Sequence, residues 1–225
     1  MKNFTFRPLP PAAALLVTVL LAQCARAQEE LPPPQGKGHV VVLLSGIKGP
    51  RHDRVLAEAI SALGYDVYFC DGRKMERSQG EAIRQAIQQA QKLPHALPGK
   101  VALMGVSLGG GFALGFASRW PDLVAVDIVW YPATGFTRRA PLFATRITVP
   151  TLMFAGEADD YHKCCMIETA RTLAADAALA GAPFELVTYP GANHDFIKGG
   201  GGYNEQAYND ALHRTAARLK VAFGD

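Results

Sequence analysis

One serine in this chain stands in a sequence context that can activate a hydroxyl group. Ser107 lies in Gly105-Val106-Ser107-Leu108-Gly109, which matches the G-x-S-x-G pattern. The pattern follows an apolar run and precedes a predicted helix, so the chain is expected to turn sharply at the serine. Side chains at the two flanking positions would collide in such a turn, which explains both glycines. Ser107 is therefore predicted to be a nucleophile, with the Leu108 N–H helping to hold an oxyanion.

A nucleophilic serine needs a base, and proteins with this motif carry their groups in the chain order Ser, acid, His. His194 lies just after the last predicted strand, where the base belongs, and is predicted to be that base. The other histidines fit this place less well, although His52 follows the first core strand and could line the site. They are His39, His52, His95, His162 and His213.

Three carboxylates compete to orient the predicted base. Glu157, Asp159 and Asp160 all follow an apolar run that ends at Phe154. A buried carboxylate that accepts a hydrogen bond from the histidine ring would hold its tautomer and stabilise the imidazolium. The spacing alone does not separate Asp159 from Asp160, so both stay open at this point.

A second oxyanion donor is expected from the loop after the first core strand. This loop covers residues 45–50, and the Ile47 N–H is the candidate within it. Gly46 would let the backbone come close to a substrate. The oxyanion is therefore predicted to be held by the N–H groups of Ile47 and Leu108.

Apolar runs alternate with segments of helical spacing along most of the chain. Strands are predicted at 40–44, 65–70, 101–104, 124–130, 151–154 and 184–188, and helices at 51–63, 79–92, directly after the serine motif, at 165–180 and at 203–223. This alternation predicts an α/β fold with a mostly parallel sheet and helices on both faces. Functional residues in such sheets lie at the carboxyl ends of the strands. A glycine run at 199–202 is predicted to be a flexible connector to the last helix.

The first 27 residues have the composition of a cleaved secretory signal. Lys2 and Arg7 precede an apolar run at 12–22, and Ala25-Arg26-Ala27 offers a signal-peptidase site. Lipoprotein cleavage before Cys24 and an uncleaved anchor are the alternatives. The protein is thus expected to be exported, periplasmic or secreted, with no membrane span in the mature chain. Residues 28–37 are predicted to be a Pro-rich solvated linker, and residues 38–225 to be one domain.

The charge balance argues against nucleic acid as a partner. The chain has 23 Lys and Arg residues against 20 Asp and Glu, and three of the bases, Lys2, Arg7 and Arg26, leave with the signal. The mature chain is therefore near neutral and carries no basic stripe.

Three cysteines stay after signal removal, and their pairing is open. Cys164 and Cys165 could bridge each other, or one of them could pair with Cys70. A metal centre that uses His162 with this pair matches no zinc-ligand spacing and is set aside.

Several segments together resemble one family. They are Gly105–Gly111, Val149–Leu152 with Gly156–Asp159, Tyr189–Phe196, and the final helix. On these segments, residues 38–223 are similar to the dienelactone hydrolases, a small lidless branch of the α/β-hydrolases. The resemblance implies that fold with a minimal lid and favours Asp159 as the acid. Acyl transfer by a serine, a histidine and an acid requires no cofactor and no metal.

The chain also departs from that family. Members that open dienelactones usually carry cysteine as nucleophile, whereas this chain has Ser107. The expectation is therefore the broader cleavage of small carboxylic esters or lactones through an acyl-enzyme on Ser107. A peptidase or acyltransferase with the same three residues and a non-catalytic binding protein are the alternatives. Four arginines are candidates for binding a substrate carboxylate, namely Arg51, Arg73, Arg138 and Arg139.

Overall fold

The computed structural model describes residues 28–78, 80–137 and 142–225. Its strands are β1 (Gln28–Leu31), β2 (Val40–Leu44), β3 (Asp66–Cys70), β4 (Val101–Val106), β5 (Val124–Trp130), β6 (Thr151–Gly156) and β7 (Phe184–Tyr189). Its helices are α1 (Pro50–Ala62), α2 (Glu81–Ala90), α3 (Ser107–Phe116), α4 (Ile167–Ala180) and α5 (Glu205–Phe223).

The seven strands form one sheet in the order β1-β3-β2-β4-β5-β6-β7. Strands β2 to β7 pair in parallel, and β1 alone runs antiparallel, against β3. The predicted α/β fold with a mostly parallel sheet is confirmed. The carboxyl ends of β2, β4, β5 and β6 therefore meet at one edge, where the loops that follow them are neighbours.

Each face of the sheet carries its own apolar core. In β2, Val40, Val42 and Leu44 pack with residues of α2, α3 and α4. The alternate residues Val41 and Leu43 pack with residues of α1 and α5 on the opposite face. Successive side chains of a strand point to opposite faces, so a fully apolar strand is covered by helices on both sides.

The segment predicted to be a solvated linker differs in the structure. Residues Gln28–Leu31 form β1, paired with β3 from Gln28 opposite Cys70 to Leu31 opposite Val67. Glu29 accepts hydrogen bonds from Arg54 of α1, which ties the new strand to the domain. Composition misleads here because the pairing depends on an unsatisfied sheet edge elsewhere in the chain.

The predicted signal peptide, residues 1–27 with Cys24, lies outside the described residues. Export accordingly stays a prediction. Among the residues that are described, none of the helices combines the length and the apolar character needed to cross a membrane.

A buried acid in β5 gives a prediction about stability. Asp127 is 1% exposed, and neither carboxylate oxygen has a hydrogen-bond partner among the described residues. Burial raises its pKa well above the ordinary value. The folded protein therefore holds this proton up to its raised pKa, while the unfolded chain releases it above pH ~4. Between these two pKa values stability falls with rising pH, by up to about 1.4 kcal/mol per unit.

Replacing Asp127 by valine is expected to remove this pH dependence. Melting temperatures would be measured between pH 5 and pH 8 for the wild type and for Asp127→Val. The melting temperature of the variant is expected to rise relative to that of the wild type as pH increases. Asp176→Asn, at an exposed position of α4, is the control and should run parallel to the wild type. Parallel curves for Asp127→Val and wild type would contradict the prediction.

Candidate active site

The turn from β4 into α3 holds Ser107 in a backbone conformation that few residues with a side chain adopt. Its φ is 50°, and it is the first residue of the helix. A Cβ at Gly105 would overlap the carbonyl oxygen of Gly109, and a Cβ at Gly109 would overlap that of Leu44. Both glycines of the motif are thus required by backbone contacts, as the sequence indicated. The turn fixes the direction of the Ser107 hydroxyl.

Ser107, His194 and Asp159 are joined by two hydrogen bonds. The Ser107 Oγ lies 2.9 Å from His194 Nε2, and His194 Nδ1 lies 2.8 Å from Asp159 Oδ2. The Asp159 side chain is 1% exposed and that of His194 9%. With Asp159 accepting from Nδ1–H, Nε2 is left as the acceptor that faces the serine hydroxyl.

The two competing acids lie elsewhere. Asp160 is exposed, while Glu157 accepts hydrogen bonds from Arg171 and Thr188. Asp159 instead turns inward, and its second oxygen accepts from the backbone N–H of Tyr161. The structure therefore brings Asp159, and neither neighbour, to His194.

Two tyrosines that the sequence did not single out hold the His194 ring. Tyr161 stacks on it with a centroid distance of 4.4 Å and an angle of 6°. Tyr131 meets it edge-on at 5.0 Å and has a positive φ of 36° directly after β5. With a face and an edge both covered, the imidazole plane is fixed between Ser107 and Asp159.

The loop after β2 lies against the serine. A Cβ at Gly46 would be 3.1 Å from the Ser107 Cβ, so the backbone approaches closely there. The Gly46 N–H donates to the buried Asp53 carboxylate at 2.7 Å. Burial raises the pKa of Asp53 to about 6, although the bond from Gly46 favours the anion. Asp53 thus anchors the loop that carries Ile47, a role the sequence did not reveal.

The two predicted oxyanion donors belong to the two segments that meet at this approach, Ile47 to the loop after β2 and Leu108 to α3. Ile47 lines the small cavity of about 20 Å³ that also contains Ser107 and His194. Leu108 is the second residue of α3, where backbone N–H groups have no partner within the helix. Within the described ranges, neither the Ile47 nor the Leu108 N–H makes a hydrogen bond. Both are therefore available to an oxyanion.

Asp195 ties the histidine loop to the loop after β2. It accepts hydrogen bonds from Lys48 Nζ at 2.8 Å, from His52 Nε2 at 2.9 Å and from the Gly201 N–H at 3.1 Å. Burial opposes its charge, but the bonds from Lys48 and His52 outweigh that effect and hold the pKa of Asp195 below its ordinary value. The neighbours of Ile47 and His194 are thus held together by charged hydrogen bonds.

Comparison with known proteins places this arrangement in a family. The profile of the dienelactone hydrolase family matches residues 66–223, which is more than half of the chain. The chain belongs to the dienelactone hydrolase family. The resemblance predicted from the sequence motifs is confirmed.

One curated relative and one solved structure illustrate the range of similarity. Protein usf of Aquifex pyrophilus is 26% identical over 127 residues, which make up 56% of this chain and 51% of that protein. The chain thus spans about half the length of this relative. Thermogutta terrifontis esterase 2, phosphoramylated by tabun, superimposes with a TM-score of 0.68 at 20% identity, covering 88% of this chain and 89% of the esterase. With propionate bound, the same esterase gives 0.64 at 21% identity over 88% and 89% of the two chains.

Two of the four glycines in the run of this dienelactone hydrolase family member are packed closely, which the predicted flexible connector did not anticipate. A Cβ at Gly202 would overlap the carbonyl oxygen of His194, and one at Gly200 would overlap that of Asp195. The missing side chains therefore make room for the histidine loop. Sequence reasoning misjudged this because a glycine run has the same composition in both roles.

The two adjacent cysteines form a disulfide bond with each other, and Cys70 is a buried free thiol. The Cys165 sulfur lies within 4.8 Å of a ligand atom of Asp159 and of one of His194. The Cys164 carbonyl accepts two backbone hydrogen bonds, from the residues at 134 and 135. The disulfide thus lies directly beside the Asp159–His194 pair. The Cys164 carbonyl connects the loop after β6 to the loop after β5.

Of the four arginines considered as carboxylate binders, each of them expected more often to be a solvated surface charge, two are described. Arg73 donates two hydrogen bonds to Asp71 and lies over Gly49 of the loop after β2. Arg51 is exposed in the first turn of α1. Arg138 and Arg139 lie outside the described residues. Of these four, Arg73 lies against a loop that lines the site, and its charge is already paired.

Proposed function

We propose that this member of the dienelactone hydrolase family is a serine hydrolase that cleaves small carboxylic esters or lactones through an acyl-enzyme. The observation that carries the proposal is the continuous pair of hydrogen bonds from Ser107 Oγ through His194 to Asp159, at 2.9 and 2.8 Å. A nucleophile, a base and an orienting acid within hydrogen-bond reach are the groups that acyl transfer requires.

In the first half-reaction Ser107 Oγ attacks the carbonyl carbon while His194 Nε2 takes the hydroxyl proton. Asp159 holds the Nδ1–H and stabilises the imidazolium that forms. The negative charge that develops on the carbonyl oxygen is stabilised by the N–H groups of Ile47 and Leu108. His194 then gives its proton to the departing alcohol oxygen, and the acyl group stays on Ser107.

In the second half-reaction water takes the place of the alcohol. His194 removes a proton from the water, which attacks the acyl carbon, and the proton passes to Ser107 Oγ as the acid departs. No further group is needed to balance these steps. The small cavity that Ser107 lines, together with the tyrosines that contact His194, supports an acyl carbonyl bound at the edge of the sheet.

Labelling with a fluorophosphonate probe tests the proposal. Thermogutta terrifontis esterase 2, which has a similar fold, is phosphoramylated by the organophosphorus compound tabun. An organophosphorus probe is therefore suitable here. Wild type is expected to be labelled, and Ser107→Ala and His194→Ala are expected to lose both labelling and ester hydrolysis. The expected fall in kcat for Ser107→Ala is about 10⁶-fold.

His213→Ala is the matched control, because His213 is exposed on α5. It should label as the wild type does. A folded wild type that is neither labelled nor active on short esters and lactones would contradict the proposal and favour a binding protein. Activity on amides, or transfer to an alcohol in place of water, would distinguish a peptidase or an acyltransferase.

A further inference from the structure

A large apolar cavity adjoins the nucleophile helix and takes no part in the chemistry above. Its volume is about 490 Å³, within the range of ~300–1,000 Å³ that small-molecule sites occupy. Four phenylalanine side chains line it, from α3 and from the connection between β5 and β6. They are Phe112, Phe116, Phe136 and Phe143.

This cavity begins one residue from Ser107. Leu108, whose N–H is the proposed oxyanion donor, lines it with Gly111 and Gly115 of the same helix. Ala133 lines it as well, and the Ala133 N–H donates to the Ser107 carbonyl oxygen at 2.9 Å. The cavity therefore runs along α3 and begins at the residue next to the nucleophile.

The position of His194 decides which half of an ester fits there. The departing oxygen must face His194 Nε2 to receive its proton. His194 lines two other cavities, with Lys48 and Tyr161 in both and with Asn193 in one. None of these four residues is among the described residues that line the apolar cavity. The alcohol half therefore lies on the polar side with His194, and the acyl half points toward α3.

We propose that the apolar cavity along α3 binds the acyl group of the substrate, so that this protein prefers esters of apolar acids longer than acetate. The proposal rests on the proposed serine hydrolase function. Two arginines, Arg119 and Arg146, also line the cavity. The Arg119 guanidinium lies over the Phe116 ring, 4.8 Å from its centre, and Arg146 is exposed. The aromatic lining provides the binding energy for an apolar chain through surface removed from water.

Gly115 is the position at which the cavity can be filled without disturbing Ser107. A Cβ there meets only the Phe136 ring, at 3.8 and 4.0 Å, which is ordinary contact. Gly115→Leu would place a branched side chain in the cavity in a helix that tolerates leucine well. Gly115→Ala adds the Cβ alone and is the matched control.

The test compares kcat/KM for p-nitrophenyl acetate, p-nitrophenyl octanoate and octyl acetate in the three proteins. Wild type is expected to favour the octanoate over the acetate ester. Gly115→Leu should lower activity on the octanoate about tenfold or more, and leave both acetate esters within about twofold. Gly115→Ala adds only the Cβ to the cavity, so its loss on the octanoate should be smaller than that of Gly115→Leu.

An equal change on all three substrates, or no change on any, would overturn the acyl assignment. A selective loss on octyl acetate would also overturn it, because the cavity would then hold the alcohol. Fluorophosphonate labelling of Gly115→Leu reports that the variant is folded. A wild type without labelling or any ester hydrolysis contradicts the proposed function itself, which is a different result from any of these.

Discussion

Replacement of Asp159 by asparagine is expected to lower kcat for ester hydrolysis by about 10⁴-fold without unfolding the protein. The Asp159 oxygen lies 2.8 Å from His194 Nδ1, and its side chain is almost fully buried. An asparagine amide facing the ring would donate to Nδ1 and leave the proton on Nε2. The base would then present a donor to Ser107 and could not accept its proton.

The matched control is the adjacent acid. Asp160 is exposed, and Asp160→Asn should change kcat by less than about twofold, as exposed substitutions away from a site usually do. The two variants remove the same charge one residue apart, so net charge does not separate them. Equal losses in both variants, or a larger loss at Asp160, would mean that Asp159 does not orient His194.

Gly202→Ala is expected to lower kcat/KM by about 100-fold, although the residue takes no part in the proton transfers. The added Cβ would overlap the carbonyl oxygen of His194, which is a backbone atom and cannot rotate away. Relief requires movement of the histidine loop, and misplacement of a catalytic group by about 1 Å costs about this factor.

Gly201→Ala is the control for that experiment. Its Cβ would reach only the Lys48 Nζ, at 4.0 Å, so the wild-type rate is expected. Steady-state kinetics with thermal melts would separate a displaced His194 from a general loss of stability. Wild-type activity in Gly202→Ala would mean that the run is a flexible connector after all.

The fold, Ser107 and His194 could be predicted from the sequence because their signals are local. The strand, sharp turn and helix around Ser107 are specified by two glycines four residues apart along the chain. The parallel topology then places the loops with Asp159 and His194 beside that turn. Spacing could not choose Asp159 over Asp160, because the backbone conformation of the loop after β6 decides which of the two side chains points inward.

The supporting contacts were not predictable, because they join distant parts of the chain. Lys48 and His52 reach Asp195 across 147 and 143 residues. Such pairs leave no periodic or compositional pattern in a single sequence. The same reason applies to the glycine run, whose close packing is visible only once His194 is in place.

The antiparallel strand β1 has a consequence for how the chain can be shortened. Its composition invites a cut at residue 37, ahead of the first parallel strand. That cut would remove β1, one of the two strands that pair with β3. Strand β3 is buried along its whole length, and the cut would expose its outer row of N–H and C=O groups. With the short β1 at the edge of the sheet this row is covered, so truncation at residue 37 is expected to increase self-association.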